Sequence, residues 1–126
     1  MKYVIIIARI LLGLPFVIFG ANALHPFIPT PPMAGDSGAL AMLMMHHGWF
    51  TFIGALYVIA GLLLLVGRYV PVALVILGPI LVVILLFHVT LSPNELAFPV
   101  ILTLLEVFLI YAYWPAFSSI FTHKLA

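Results

Sequence analysis

Three ionisable side chains stand inside long apolar runs of this sequence: Arg9, His88 and Glu106. A charge at mid-membrane depth costs on the order of 3 kcal/mol on insertion scales, so each needs a partner or a purpose. Glu106 lies near the centre of its run, on a helical stripe with Pro99, Thr103, Ile110 and Tyr113. Arg9 shares a stripe with Gly13, Phe16 and Gly20, and the two glycines let another helix approach closely. Tyr57 has Gly54 and Gly61 one turn to either side, and His88 follows Gly78, Leu81 and Leu85 on one stripe. Counted at about 1.5 Å per residue from the centre of each run, Arg9 and Glu106 fall close together in depth. The spacing predicts an ion pair between them, with the Tyr57 hydroxyl as third member. Two roles stay open for it: fixing which helices meet, or forming the polar floor of a ligand site that also handles protons.

A second group consists of Asn22, His25, His46 and His47, on the same side as His88. Imidazoles gathered at one depth suit a metal, or a donor to a ligand carbonyl. No HExxH or comparable ligand spacing is present, and the adjacent His46 and His47 cannot share one helix face. The plainer reading is interfacial histidines touching water and headgroups, with His88 hydrogen-bonded to a neighbouring helix. No metal site is assigned.

These residues have to be positioned by helices in lipid. The chain has 126 residues, is 67% hydrophobic and carries only 6% charged residues, against about 25% in soluble domains. Its mean hydropathy is +1.40. Four runs are long enough to cross about 30 Å of hydrocarbon: 3–20, 49–66, 70–91 and 98–117. Gly67-Arg68-Tyr69 and Ser92-Pro93-Asn94-Glu95 are tight turns that make successive runs antiparallel. The expected fold is an all-α, four-transmembrane-helix antiparallel bundle, a single membrane domain over residues 1–126. Pro15 and Pro79 interrupt the first and third runs and are expected to kink them.

Lys2, Arg68 and Lys124 fall on one side of this arrangement, Asp36 and Glu95 on the other. The Lys/Arg bias puts both termini in the cytoplasm. Trp49, Tyr69, Tyr113 and Trp114 sit near the run ends, as interfacial aromatics do. Lys2, the first run and Ala21-Asn22-Ala23 imitate a signal peptide, but Arg9 in mid-run argues for a retained helix. The one long connection, 21–48, holds an apolar stretch with four prolines, His25 to Met33, which is expected at the outer interface or over the bundle mouth. Ser37 then reads as the N-cap of a short helix from Gly38 to about His47, with Leu40, Leu43 and Met44 toward the membrane or the bundle.

The absence of cysteine excludes disulfides and thiolate sites, and a net charge of +1 gives no reason to expect nucleic acid. No nucleotide loop, catalytic triad or haem, flavin or iron–sulfur motif is present, so no cofactor is evident from the residues.

Taken in order, Arg9-Ile-Leu-Leu-Gly13-Leu-Pro-Phe16-Val-Ile-Phe19-Gly20, Gly61-Leu-Leu-Leu-Leu-Val-Gly67-Arg68, Pro79 with Leu86-Phe87-His88, and Leu104-Leu105-Glu106 with Tyr113 resemble the DoxX-like family of small bacterial membrane proteins. The resemblance spans nearly the whole chain. It implies a four-helix bundle in the bacterial plasma membrane and an association with redox chemistry, through the DoxD subunit of thiosulfate:quinone oxidoreductase. The carried-over positions are Arg9, His88 and Glu106. Ala21-Asn22-Ala23, Tyr57 and Val83 depart from its polar positions, which implies a more apolar interior than a thiosulfate-handling relative would have.

The functional expectation is an accessory subunit, not an enzyme by itself, that binds a lipophilic small molecule such as a quinone near His88 and the Arg9–Glu106 pair. Its electrons would come from a protein partner, and membrane lipids surround it. The alternative is a structural or assembly subunit of a membrane complex, or a homo-oligomer. A small transporter fits less well, because the spans show no inverted repeat and no polar stripe.

Overall fold

The computed structural model describes residues 1–28 and 34–121. Within them the chain is helical and no strand occurs. The helices are α1 (Lys2–Leu24), α2 (Gly35–His46), α3 (Trp49–Val66), α4 (Val70–Leu91), α5 (Ala97–Ala112) and α6 (Trp114–Phe117). Short 3₁₀ turns cover Pro93–Glu95 and Ser118–Phe121. Three helices, α1, α3 and α4, are long and apolar enough to cross a membrane; a bent pair, α5 with the segment after it, makes a fourth if it counts as one span. Only 22–28% of the residues in the three long apolar windows are buried. Side chains such as Val82, Val83, Leu86, Leu104 and Val107 are exposed around the outside. An apolar surface of that extent suits lipid and not water.

The helix bounds follow local chemistry. α3 ends at Gly67, whose φ of +82° favours glycine and whose N–H donates to the Leu63 carbonyl at 2.9 Å. Tyr69 turns the chain back at φ +55°, and Pro71 sits in the first turn of α4, where its missing N–H costs nothing. The bounds of α3 and α4 coincide with the second and third apolar runs. α1 is longer than the first run and carries Ala21-Asn22-Ala23 as helix. Pro15 and Pro79 lie inside α1 and α4.

Two expectations need correction. The fourth run does not form one helix to Phe117: α5 stops at Ala112 and the following segment bends away by 83°. Pro115 accounts for this, since it cannot donate a helical hydrogen bond and its ring would press on the carbonyl of Tyr111. The connecting helix starts three residues earlier than expected, with Ala34 and not Ser37 at its N-cap. The Ser37 hydroxyl instead donates to the Ala34 carbonyl at 3.1 Å. The face of α2 turned inward is Ser37, Gly38, Ala41 and Met44, while Leu40 and Leu43 are exposed. Of the proline-rich stretch, residues 29–33 lie outside the described residues, as does Lys124.

Packing is dominated by α1 against α3. α1 also touches α5, α4 touches both α3 and α5, and α2 lies across α3 and α4. The α1–α3 seam is built from glycines spaced seven apart on both helices. A Cβ on Gly13 would stand 2.9 Å from the Gly61 carbonyl oxygen, and one on Gly20 would stand 2.7 Å from that of Gly54. These pairs run in opposite order along the two helices, so α1 and α3 are antiparallel and in near backbone contact. The core beside them is leucine-rich, with Leu12, Leu64, Leu74, Leu77, Leu81 and Leu109 fully buried.

Candidate functional site

Glu106 lies on the inward stripe of α5 between Leu102 and Leu109, at helical spacing, and is 3% exposed. Both carboxyl oxygens are buried and neither has a hydrogen-bond partner among the described residues. The carboxyl faces α4 where that helix has no side chain: a Cβ on Gly78 would lie 3.5 Å from Oε2. The next residue, Pro79, has no N–H, so the α4 ladder lacks its usual bond to the Val75 carbonyl at the same level. Glu106 therefore faces the thinnest part of its neighbour.

The expected Arg9–Glu106 pair does not form. The Arg9 guanidinium lies against Gly67 at the end of α3, where a Cβ would stand 2.7 Å from Nη1 and 3.0 Å from Nη2. Its Nε is buried without a hydrogen-bond partner among the described residues. The reason is which stripe each residue occupies. Arg9 shares its stripe with Gly13 and Gly20, and that stripe packs on α3, whereas Glu106 faces α4. Its long side chain follows the seam to the carboxyl end of α3, the negative end of the helix dipole. Tyr57 is not a third member. It is half-buried, and its ring meets Phe16 edge-on with centroids 4.8 Å apart.

His88 is half-buried in the last turn of α4. Its Nδ1–H donates to the Ile84 carbonyl at 2.8 Å, within its own helix. That bond fixes the donor on Nδ1 and leaves Nε2 for another partner. Phe87 stands edge-on to the imidazole at 5.4 Å. His88 and Gly78 are ten residues apart, about 15 Å along the helix, so His88 and Glu106 do not share one site.

The outer group is dispersed. The Asn22 side-chain oxygen accepts from the backbone N–H of Phe27 at 2.9 Å and of Ile28 at 2.8 Å, which folds the chain back after α1. His25, His46 and His47 are exposed. Among the described residues no three His, Cys, Asp or Glu side chains come together as metal ligands.

Two shallow apolar grooves mark the surface. One, of about 220 Å³, runs between the start of α4 and the C-terminal segment, along Pro71, Val75, Ile76 and Phe117. The other, of about 270 Å³, lies between α1 and α5, along Ile7, Ala8, Leu11, Leu105 and Phe108. Neither is lined by Arg9, Tyr57, His88 or Glu106. The sequence marks Gly67 only as part of the turn after the second run; that it also makes room for the Arg9 guanidinium has no local signal. That Gly78 faces Glu106 has no local signal, because it depends on how α4 and α5 are rotated. The chain matches no protein-family model, no curated protein and no solved structure.

Proposed function

We propose that the chain is a four-span membrane protein of the DoxX-like type, set in a bacterial plasma membrane with both termini cytoplasmic. In this reading it is a redox-associated accessory subunit that binds a lipophilic small molecule of the quinone class. The observation that carries the reading is Glu106: a buried carboxyl with no partner among the described residues, in a mostly apolar interior. Buried polar groups in native proteins are nearly always satisfied. An assembly role would call for a partner side chain, and among the described residues none reaches it. What remains is a proton of its own or a donor on a small guest, such as a quinol hydroxyl. His88 supports the same class of ligand at a second, shallower level, with Nε2 not used by the Nδ1 hydrogen bond and an aromatic ring beside it. One ring meets one of these residues at a time, because they lie too far apart for a single head group.

Native mass spectrometry of gently solubilised protein, with identification of the extracted lipids, tests this. A stoichiometric isoprenoid quinone, lost in Glu106→Gln or His88→Ala while the fold persists, is the expected result. Bulk phospholipid alone would overturn it in favour of a structural subunit.

A further inference from the structure

We infer that residues 114–121 form an interfacial elbow, seated in the headgroup–acyl boundary of the membrane beside the α3–α4 turn, and are not the end of a spanning helix. The inference rests on the four-span reading above. α5 has sixteen residues, about 24 Å of helix, and is followed by the 83° bend. If α5 stands across the membrane, the segment after it runs along the membrane plane. Its two faces differ. Phe117 is buried and lies with Pro71, Val75 and Ile76 of α4 along one groove. Trp114, Ile120 and Phe121 are exposed, and the Trp114 and Phe121 rings stack with centroids 5.5 Å apart. No charged residue occurs from 107 to 121. Exposed indole and phenyl rings with serines between them suit the boundary where one side is wet and the other is hydrocarbon. Tyr69, 73% exposed in the turn before α4, stands at the same end of the molecule.

The elbow also sets the depth of the buried carboxyl. Glu106 is six residues from Ala112, about 9 Å from the end of its helix; a straight helix to Phe117 would place it about 16 Å from the end. The bend therefore brings the unpartnered carboxyl much nearer the inner boundary than the length of the apolar run indicates.

The chain has two tryptophans, so Trp49→Phe leaves Trp114 as sole emitter, and Trp49→Phe/Trp114→Phe/Phe121→Trp moves the emitter to the far end of the elbow. Each variant is reconstituted in phosphatidylcholine vesicles brominated at shallow or at deep acyl positions. The elbow predicts that both emitters are quenched more by shallow bromines, to the same degree, and are shielded from aqueous iodide. A continuing helix would put residue 121 about 10 Å beyond residue 114, and iodide quenching at 121 with lipid quenching kept at 114 would overturn the elbow alone. Failure of the protein to float with the vesicles would overturn the membrane reading and the elbow with it.

Discussion

Glu106 is the residue on which structure and chemistry disagree most visibly. A buried carboxyl without a donor is a liability to the fold, and replacing such a group by an apolar one of similar size is often neutral or stabilising. Glu106→Leu is therefore expected to raise stability by about 1–3 kcal/mol in detergent-mixture unfolding, while abolishing ligand retention. A large loss of stability would show that the carboxyl has a structural partner. Arg9 illustrates the opposite case. Its side chain runs to the carboxyl end of α3, so its charge is placed at the helix end and not against Glu106. The types of both residues, and their burial in the span region, were legible in the sequence. Their partners were not, because a side chain with several rotatable bonds can serve either of two faces until the helix rotations are known.

At the scale of elements, the α1–α3 seam is the strongest contact, and glycine makes it. A Cβ on Gly61 would stand 2.7 Å from the Gly13 carbonyl oxygen and 2.6 Å from Val17 Cγ2, and backbone atoms cannot step aside as a flexible side chain can. Gly61→Ala is expected to cost about 1–3 kcal/mol, the usual range for overpacking, measured by the same unfolding assay. Gly13→Ala and Gly61→Ala press on one contact, so the double variant should cost less than the two single costs together. Additive costs would mean that the helices do not meet at these residues. The elbow after α5 belongs to the same scale. Composition alone extends the last run to Phe117, and Pro115 stops it, because a missing N–H and a ring clash outweigh apolar continuity.

For the molecule as a whole, the exposed surface of α1, α3, α4 and α5 is apolar enough for lipid to cover, and if all four cross, their ends alternate between the two sides. The chain has no cysteine, which leaves a clean background for single-cysteine mapping. With four spans, Lys2→Cys, Arg68→Cys and Ser119→Cys should react with an impermeant maleimide from one side of the membrane, and His47→Cys and Asn94→Cys from the other. Labelling of Ser119→Cys from the side of Asn94→Cys would show that α5 does not cross.

The sequence by itself determined the helical class, the bounds of α3 and α4 and the turn between them, because apolar run length, Gly67 and Pro71 act locally. It also identified Arg9, Tyr57, His88 and Glu106 as polar groups in apolar surroundings. Only the tertiary structure decided that α1 pairs with α3 through Gly13, Gly20, Gly54 and Gly61, that Arg9 and Glu106 part company, and that His88 stands apart from both. The physical reason is the same in each case. Helical periodicity assigns residues to stripes, but which stripe meets which helix depends on the closest approach the backbones allow, and glycines that meet across a seam set that distance from both sides at once.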